Sequence, residues 1–431
     1  MNKSLYIVAF SLAFATTGIA QNNEGQDKVI DLGTQTTTEL RKTQAVSTIY
    51  SDELDKNATT SPYNAIYGLL PGLSVMQNTS WGTDKSRLNV RGRGSLNGDT
   101  PLFVVDGFAR PLEYINLSEI ESISVLKDGA ATALWGGRGA NGVVLITTKR
   151  GIYNQKDIKV DYKFGLGLPV NQPEFADAYT YAKARNEALR YDGLQPDMDE
   201  ASFLSGGNSD LYPNVDWQKE ALRNHTTSHQ LDITFRGGGK RLRYFSVLNY
   251  KNDMGLLNSK YTDYTDRYNS QMKKYFLNLR MNLDVDITDA TKLKLSMLGM
   301  LRETKRPTTS EATLFEQIFN TPSAAFPVQT QNGFWGSNNV LKTNPIANLA
   351  DVGYYKLNQR MLQADLRLVQ DLSVLTRGLS AELAIAYDNN ATYQETAKKS
   401  FMYQTIEKGI DGEPIYTNYG NPNDELEISN K

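Results

Sequence analysis

The sequence predicts a small α+β globule followed by a long run of antiparallel strands. Three observations carry that reading. Within residues 89–151, two short apolar runs bounded by glycines, at residues 101–105 and 142–148, read as compact buried strands. From Ile152 onward the pattern alternates by twos, without a helical period. Beyond the N-terminus no apolar stretch approaches the roughly 18 residues of a membrane-spanning helix, so a membrane could be crossed only by a closed set of strands.

At the start, Met1 to Ser4 is basic, residues 5–15 are apolar, and Gly18 and Ala20 are small. This predicts a secretory signal peptide over residues 1–20, cleaved before Gln21. Residues 21–42 then form a polar arm, within which Lys28, Val29, Ile30, Asp31, Leu32 and Gly33 make one small apolar cluster. Such a segment suits strand addition to a partner's sheet edge, or else Val29, Ile30 and Leu32 pin the arm to the globule.

The globule occupies residues 43–151, a plausible single-domain size. Ser61 can cap a helix with Pro62 in its first turn and Ala65, Ile66, Leu69 and Leu70 on one face. Pro71 and Gly72 break it, and residues 73–76 resume as a strand. Leu117, Ile120, Ile123 and Leu126, with acids between them, predict a short amphipathic helix over residues 117–127, capped by Asn116 or Ser118.

Among the strands the clearest is at residues 277–287, apolar at every odd position and polar at every even one. Residues 231–235, 362–368 and 381–387 repeat the pattern. Each strand has one dry and one wet face, which fits a soluble sandwich or a membrane barrel equally. Charge on the wet face (Arg280, Asp284 and Asp286, then Lys292 and Lys294) leans toward a barrel. So do long polar connections at 191–214 and 303–344 set against short turns such as 287–290.

Chemistry is sparse. A net charge of -2 points to no nucleic-acid partner. The absence of Cys excludes disulfides, thiolate metal sites and an acylated lipoprotein. His225 and His229 flank a strand entrance and read as polar loop residues rather than metal ligands. Asp106 reads as a turn-forming Asp-Gly, and Glu119, Glu121, Lys127 and Asp128 as the solvated face of the helix. The glycines of residues 136–142 lack the ending of a phosphate cradle and permit tight turns. Arg91-Gly-Arg-Gly94 occurs once and makes no nucleic-acid element. No catalytic arrangement is present, so the reading is of no enzyme and no cofactor.

The runs VRGRGS at residues 90–95, PLFVVDG at 101–107, IESISVLKDGAATALWGGRGANGV at 120–143 and ITTKRG at 146–151 resemble the plug domain of TonB-dependent outer-membrane transporters, specifically the SusC/RagA-like importers. The matched positions include Arg91, Gly92, Gly94, Ser95, Asp106, Gly107, Lys127, Asp128, Gly136, Arg138, Gly139, Asn141 and Gly142. The resemblance implies a plug at residues 43–151 and the N-terminal part of a transmembrane β-barrel at 152–431. It implies a TonB box at Lys28 to Gly33, with Arg91 and Arg93 facing the barrel wall. The implied cargo is a glycan or a peptide. The implied partners are TonB with ExbB and ExbD, a SusD-like surface lipoprotein and outer-membrane lipid, in a Gram-negative cell.

Only residues 21–27 separate the expected cleavage site from the box, which leaves no room for the small β domain many relatives carry there. The 280 residues after Gly151 supply only about half of the roughly 22 strands of a plugged barrel, so the expected barrel is incomplete in this chain. The alternative reading is a truncated or non-transporting exported β protein that binds ligand without transport, with a soluble glycan-binding sandwich behind it.

Overall fold

The computed structural model describes residues 7–13, 29–31, 36–38, 43–56, 59, 61–77, 86–94, 98–170, 172–265, 267–421 and 424–431. The globule is built on a five-stranded sheet of β1 (Val46–Tyr50), β2 (Leu102–Val105), β3 (Phe108–Ala109), β4 (Ile120–Leu126) and β5 (Val143–Thr148), in the order β1-β4-β5-β2-β3. β5 runs parallel to β2 and antiparallel to β4. The glycine-bounded runs are thus strands, as their apolar continuity predicts.

The segment expected as a helix is not one. A 3-10 turn, Leu117–Glu119, leads straight into β4. The reason lies in burial on both faces. Ile120, Ile123 and Val125 enter the core with Ile49, Leu112 and Val144, while Leu126 joins Val104, Val143 and Leu145 on the other side. A central strand with two dry faces need not alternate, and its apolar spacing can mimic a helical period. The 61–70 segment gives only one helical turn, Pro62–Ala65, uncapped by the Ser61 side chain, with Leu69 exposed.

The second part is one antiparallel sheet. Its long strands are β6 (Lys156–Gly167), β7 (Thr226–Gly238), β8 (Leu242–Met254), β9 (Lys273–Asp286), β10 (Thr291–Pro307), β11 (Gly353–Asp371) and β12 (Ser380–Lys398), each paired with the next. Glu427–Asn430 joins β12 at one end of that strand. Ile7–Ala13, inside the expected signal peptide, pairs along β6. The free edge of β6 offers unpaired backbone groups, and an apolar extended run satisfies them.

Burial along these strands is the reverse of a soluble core. On β9, Leu277, Leu279 and Met281 are 40–47% exposed, whereas Asn278, Arg280 and Asn282 are at most 2% exposed. Leu362 and Leu366 on β11 are exposed, and Gln363 and Asp365 between them are buried. The alternation that sequence alone left open is therefore apolar outward and polar inward, with the polar side packed on the globule. Connections at 168–225, 255–272, 308–352 and 399–426 are long and lie at one end, while those at 239–241, 287–290 and 372–379 are short and lie at the other. The long ones share a core that includes Trp217, Leu314, Phe326, Trp335 and Ile346. β10 runs on to Pro307, so the polar connection expected from residue 303 begins at 308. Among the described residues no helix is long and apolar enough to cross a membrane.

Candidate functional site: the interface between globule and sheet wall

The segment between β3 and β4 carries most of the contact. Two 3-10 turns, Leu112–Tyr114 and Leu117–Glu119, fold it against the inner face of the wall. At its start Arg110, 4% exposed, donates through Nη1 and Nη2 to the two oxygens of Asp365 at 2.6 and 2.5 Å, and through Nε and Nη2 to Asp388. One planar guanidinium thereby clamps carboxylates on two neighbouring strands, β11 and β12, a geometry lysine could not reproduce.

At the other end Glu119 is fully buried. It accepts from Arg280 Nε, from Asn278 at 2.5 Å and from the backbone N–H of Asn116 at 3.3 Å. Burial pushes this carboxyl above its ordinary value, against the pull of Arg280 and the two amide donors. Asn116 reaches back to Asp232 on β7 at 3.0 Å, and that carboxylate also accepts from Gln230 and Asn249. Between the two charged ends Tyr114 packs with Phe276, Leu298, Met300 and Met361, while Arg302 donates to the Glu113 carbonyl at 2.6 Å.

A second set of contacts fixes the exit from the globule. Arg150 donates to Asp284 at 3.1 Å and to Ser296 at 2.9 Å, and Asn282 donates to the Lys149 carbonyl at 2.7 Å. Arg236 grips the Arg150 carbonyl at 2.7 Å. Asp106 turns the β2–β3 hairpin, and its carboxylate accepts from the Thr148 N–H at 3.0 Å and hydroxyl at 2.6 Å. Its carbonyl accepts from Arg367 on the wall at 2.6 Å.

Most of the matched motif residues serve the globule itself. Lys127 donates to Ser47 and to the Pro71 carbonyl; Asp128 accepts from the N–H groups of Ala45 and Ala131, both at 2.8 Å. Those two donors hold the Asp128 carboxyl below its ordinary value, the Ala45 contact most of all. Asn141 donates to the Gly98 carbonyl, Gly136 and Gly142 take positive φ, and Arg138 is exposed. Gly92 and Gly94 lie exposed beside Arg91, and Gly139 is buried against Trp135.

Arg91 and Arg93 are both exposed, and Arg93 pairs with Asp99 at 3.1 Å inside the globule. One expectation is corrected. Glu119 is not on a solvated face, because the helix that would have exposed it is a buried strand entrance. Ser95, Lys28, Leu32 and Gly33 lie outside the described residues. Val29–Asp31 pairs with Thr36–Thr38, and Ile30, 1% exposed, packs with Val46, Val104, Leu126, Ala131, Val143 and Leu145. His229 bonds the Tyr162 hydroxyl at 2.8 Å.

Sequence reasoning missed Arg110, Asp365, Asp388 and Asp232. Their signal was faint: the three aspartates are charges on faces that alternation marks as wet, Arg110 lies in a connection of the globule, and a partner 255 residues away is not readable from spacing.

Residues 38–143 match the family model of the TonB-dependent Receptor Plug Domain. The chain is 30% identical over 283 residues to the TonB-dependent receptor SusC of Bacteroides thetaiotaomicron, a match covering 62% of this chain and 26% of that protein. It is 28% identical over 281 residues to TonB-dependent receptor P26 of Formosa agariphila, covering 63% and 26%. The matched part thus spans about a quarter of the length of these curated relatives. In fold it is similar to the RagAB peptide importer in its open-open state, with TM-score 0.68, 19% identity, and coverage of 86% of this chain and 43% of that one. The plug-domain match, the receptor relatives and the inside-out wall together make the chain similar to the SusC/RagA-like TonB-dependent receptors, and these relatives are receptors rather than enzymes.

Proposed function

We propose that the protein imports a nutrient, a glycan or a peptide, across the outer membrane of a Gram-negative cell, with the plug gated by substrate and TonB. The observation that carries this is the plug held on a polar inner wall whose outer face is apolar. Such a plug occludes the lumen yet is held chiefly by charge-assisted hydrogen bonds. When it shears away, those groups return to water, so the net cost of displacement is far below the sum of the contacts.

In this reading substrate enters from the end with the long connections, beneath a SusD-like surface lipoprotein. TonB, energised through ExbB and ExbD, captures the segment Lys28 to Gly33 by strand addition. Because Ile30 is buried on the plug, capture requires the Val29–Asp31 hairpin to detach first. Substrate must therefore bind the detached state better than the docked one. Residues 1–20 act as the export signal, and their removal frees the β6 edge that Ile7–Ala13 otherwise covers.

In cells producing the protein, uptake of a labelled oligosaccharide or peptide should require TonB. Leu32→Pro should abolish uptake while surface binding persists. Uptake unchanged by loss of TonB would refute the proposal. N-terminal sequencing of the exported protein should begin at Gln21.

A further inference from the structure

We propose that the outward face of the sheet carries a binding site for a multiply phosphorylated lipid headgroup, built by Lys273, Lys305 and Lys356. The inference rests on the reading that the apolar band faces lipid. In the strand register Lys273 stands directly opposite Lys305, and Lys305 directly opposite Lys356, so three ammonium groups line up across β9, β10 and β11. All three share the parity of the exposed Leu277, Met297 and Leu362, which points them outward.

The level of this row is as informative as its charge. From the short-turn end, the outward rows are apolar: Val285–Leu293–Leu368, then Leu283–Leu295–Leu366, Met281–Met297–Ala364 and Leu279–Gly299–Leu362. Leu277–Leu301 follows, joined by Arg360. The next row holds Tyr275, Glu303, Asn358 and Tyr393, an aromatic border of the kind found at a membrane interface. The lysine row comes next, one step beyond the border, which is the depth of lipid phosphates.

Like charges directly opposite on neighbouring strands destabilise a sheet. Here Glu303 offsets part of the repulsion, 3.3 Å from both Lys305 and Lys356, and Glu395 stands opposite Lys356. Against these two carboxylates stand four cations, Arg360 being the fourth. The surplus is compensated when an anion is seated on the row. Two strand spacings separate the outer lysines, roughly 10 Å, too far for a single phosphate to bridge.

The test uses the whole chain folded into phosphatidylcholine vesicles and titrated with a bisphosphorylated lipid A, with bound lipid counted per chain. Binding should saturate. Replacing all three residues, Lys273→Gln, Lys305→Gln and Lys356→Gln, should weaken it roughly 100-fold, whereas Lys→Arg at the same positions keeps it. Glu303→Gln should tighten it by removing the competing carboxylate. The triple Gln variant should fold in phosphatidylcholine at least as well as the parent, because it relieves the repulsion. Equal lipid binding by parent and triple Gln variant would overturn the site. Displacement by equimolar inorganic phosphate would overturn its assignment to lipid. A parent chain that fails to enter phosphatidylcholine at all would instead overturn the lipid-facing reading, and the site with it.

Discussion

Two side chains decide how firmly the plug sits. Glu119 has no access to solvent and depends on Arg280 to compensate its charge. Removing one partner leaves the other buried and alone, so Arg280→Met should destabilise plug seating by about 3–5 kcal/mol. The double change Glu119→Gln with Arg280→Met should recover most of that loss. Denaturant titration of the two variants, read by hydrogen exchange of plug amides, separates the outcomes; equal losses in single and double variants would show that the pair is not coupled. Asp128 makes a different prediction. Its carboxyl is held below the ordinary value by the N–H groups of Ala45 and Ala131, so its contribution exists above that ordinary value and disappears as pH falls through the lowered one. Protection of the Ala45 and Ala131 amides should therefore fall only in acid, below about pH 4. Asp128→Asn, which leaves one acceptor oxygen for two N–H donors, should cost about 1 kcal/mol at neutral pH and remove that pH dependence.

Among the elements, what was legible and what was not follows from burial. β2 and β5 were readable because continuous apolar runs between glycines have one good structural solution. β4 was not, because a strand dry on both faces has freedom to place Ile120, Ile123 and Leu126 at helical spacing. That one error carried Glu119 to the wrong environment. The matched motif around Gly136 to Gly142 located the plug but not its contacts with the wall, since those residues shape turns inside the globule. The contacts depend on pairs such as Arg110 with Asp365, which only the assembled fold brings together. Where plug passes into wall, the backbone of Gly151 lies so close to β8 that an added Cβ would stand 2.2 Å from the Tyr244 nitrogen and 2.7 Å from the Gly237 carbonyl oxygen. Backbone on both sides cannot give way as a side chain can. Gly151→Ala should therefore force the junction apart and reduce the yield of protease-resistant plug, while Gly239→Ala, which meets open space, should leave the yield unchanged.

At the scale of the whole molecule, the meaning of the alternating strands depends on what stands on their dry side. A sheet of seven long strands that buries Asn278, Arg280 and Asn282 while exposing Leu277, Leu279 and Met281 would be unstable in water, because its apolar face gains nothing from folding there. In hydrocarbon the same face is at rest, while inward groups such as Arg280, Asn278 and Asn282 bond to the plug. The two solvents assign opposite costs to one substitution. Leu279 lies in the middle of the apolar band, opposite Leu248 on one side and Gly299 on the other. If that band meets lipid, Leu279→Lys should lower stability in phosphatidylcholine vesicles by about 2–4 kcal/mol, and the same change nearer the interface, Tyr275→Lys, by no more than about 1 kcal/mol. Urea titration of refolding into vesicles measures both. A depth-dependent loss identifies the band as membrane-facing; a uniform effect near zero at both positions would mean that the outer face stands in water and that the wall is not a membrane wall.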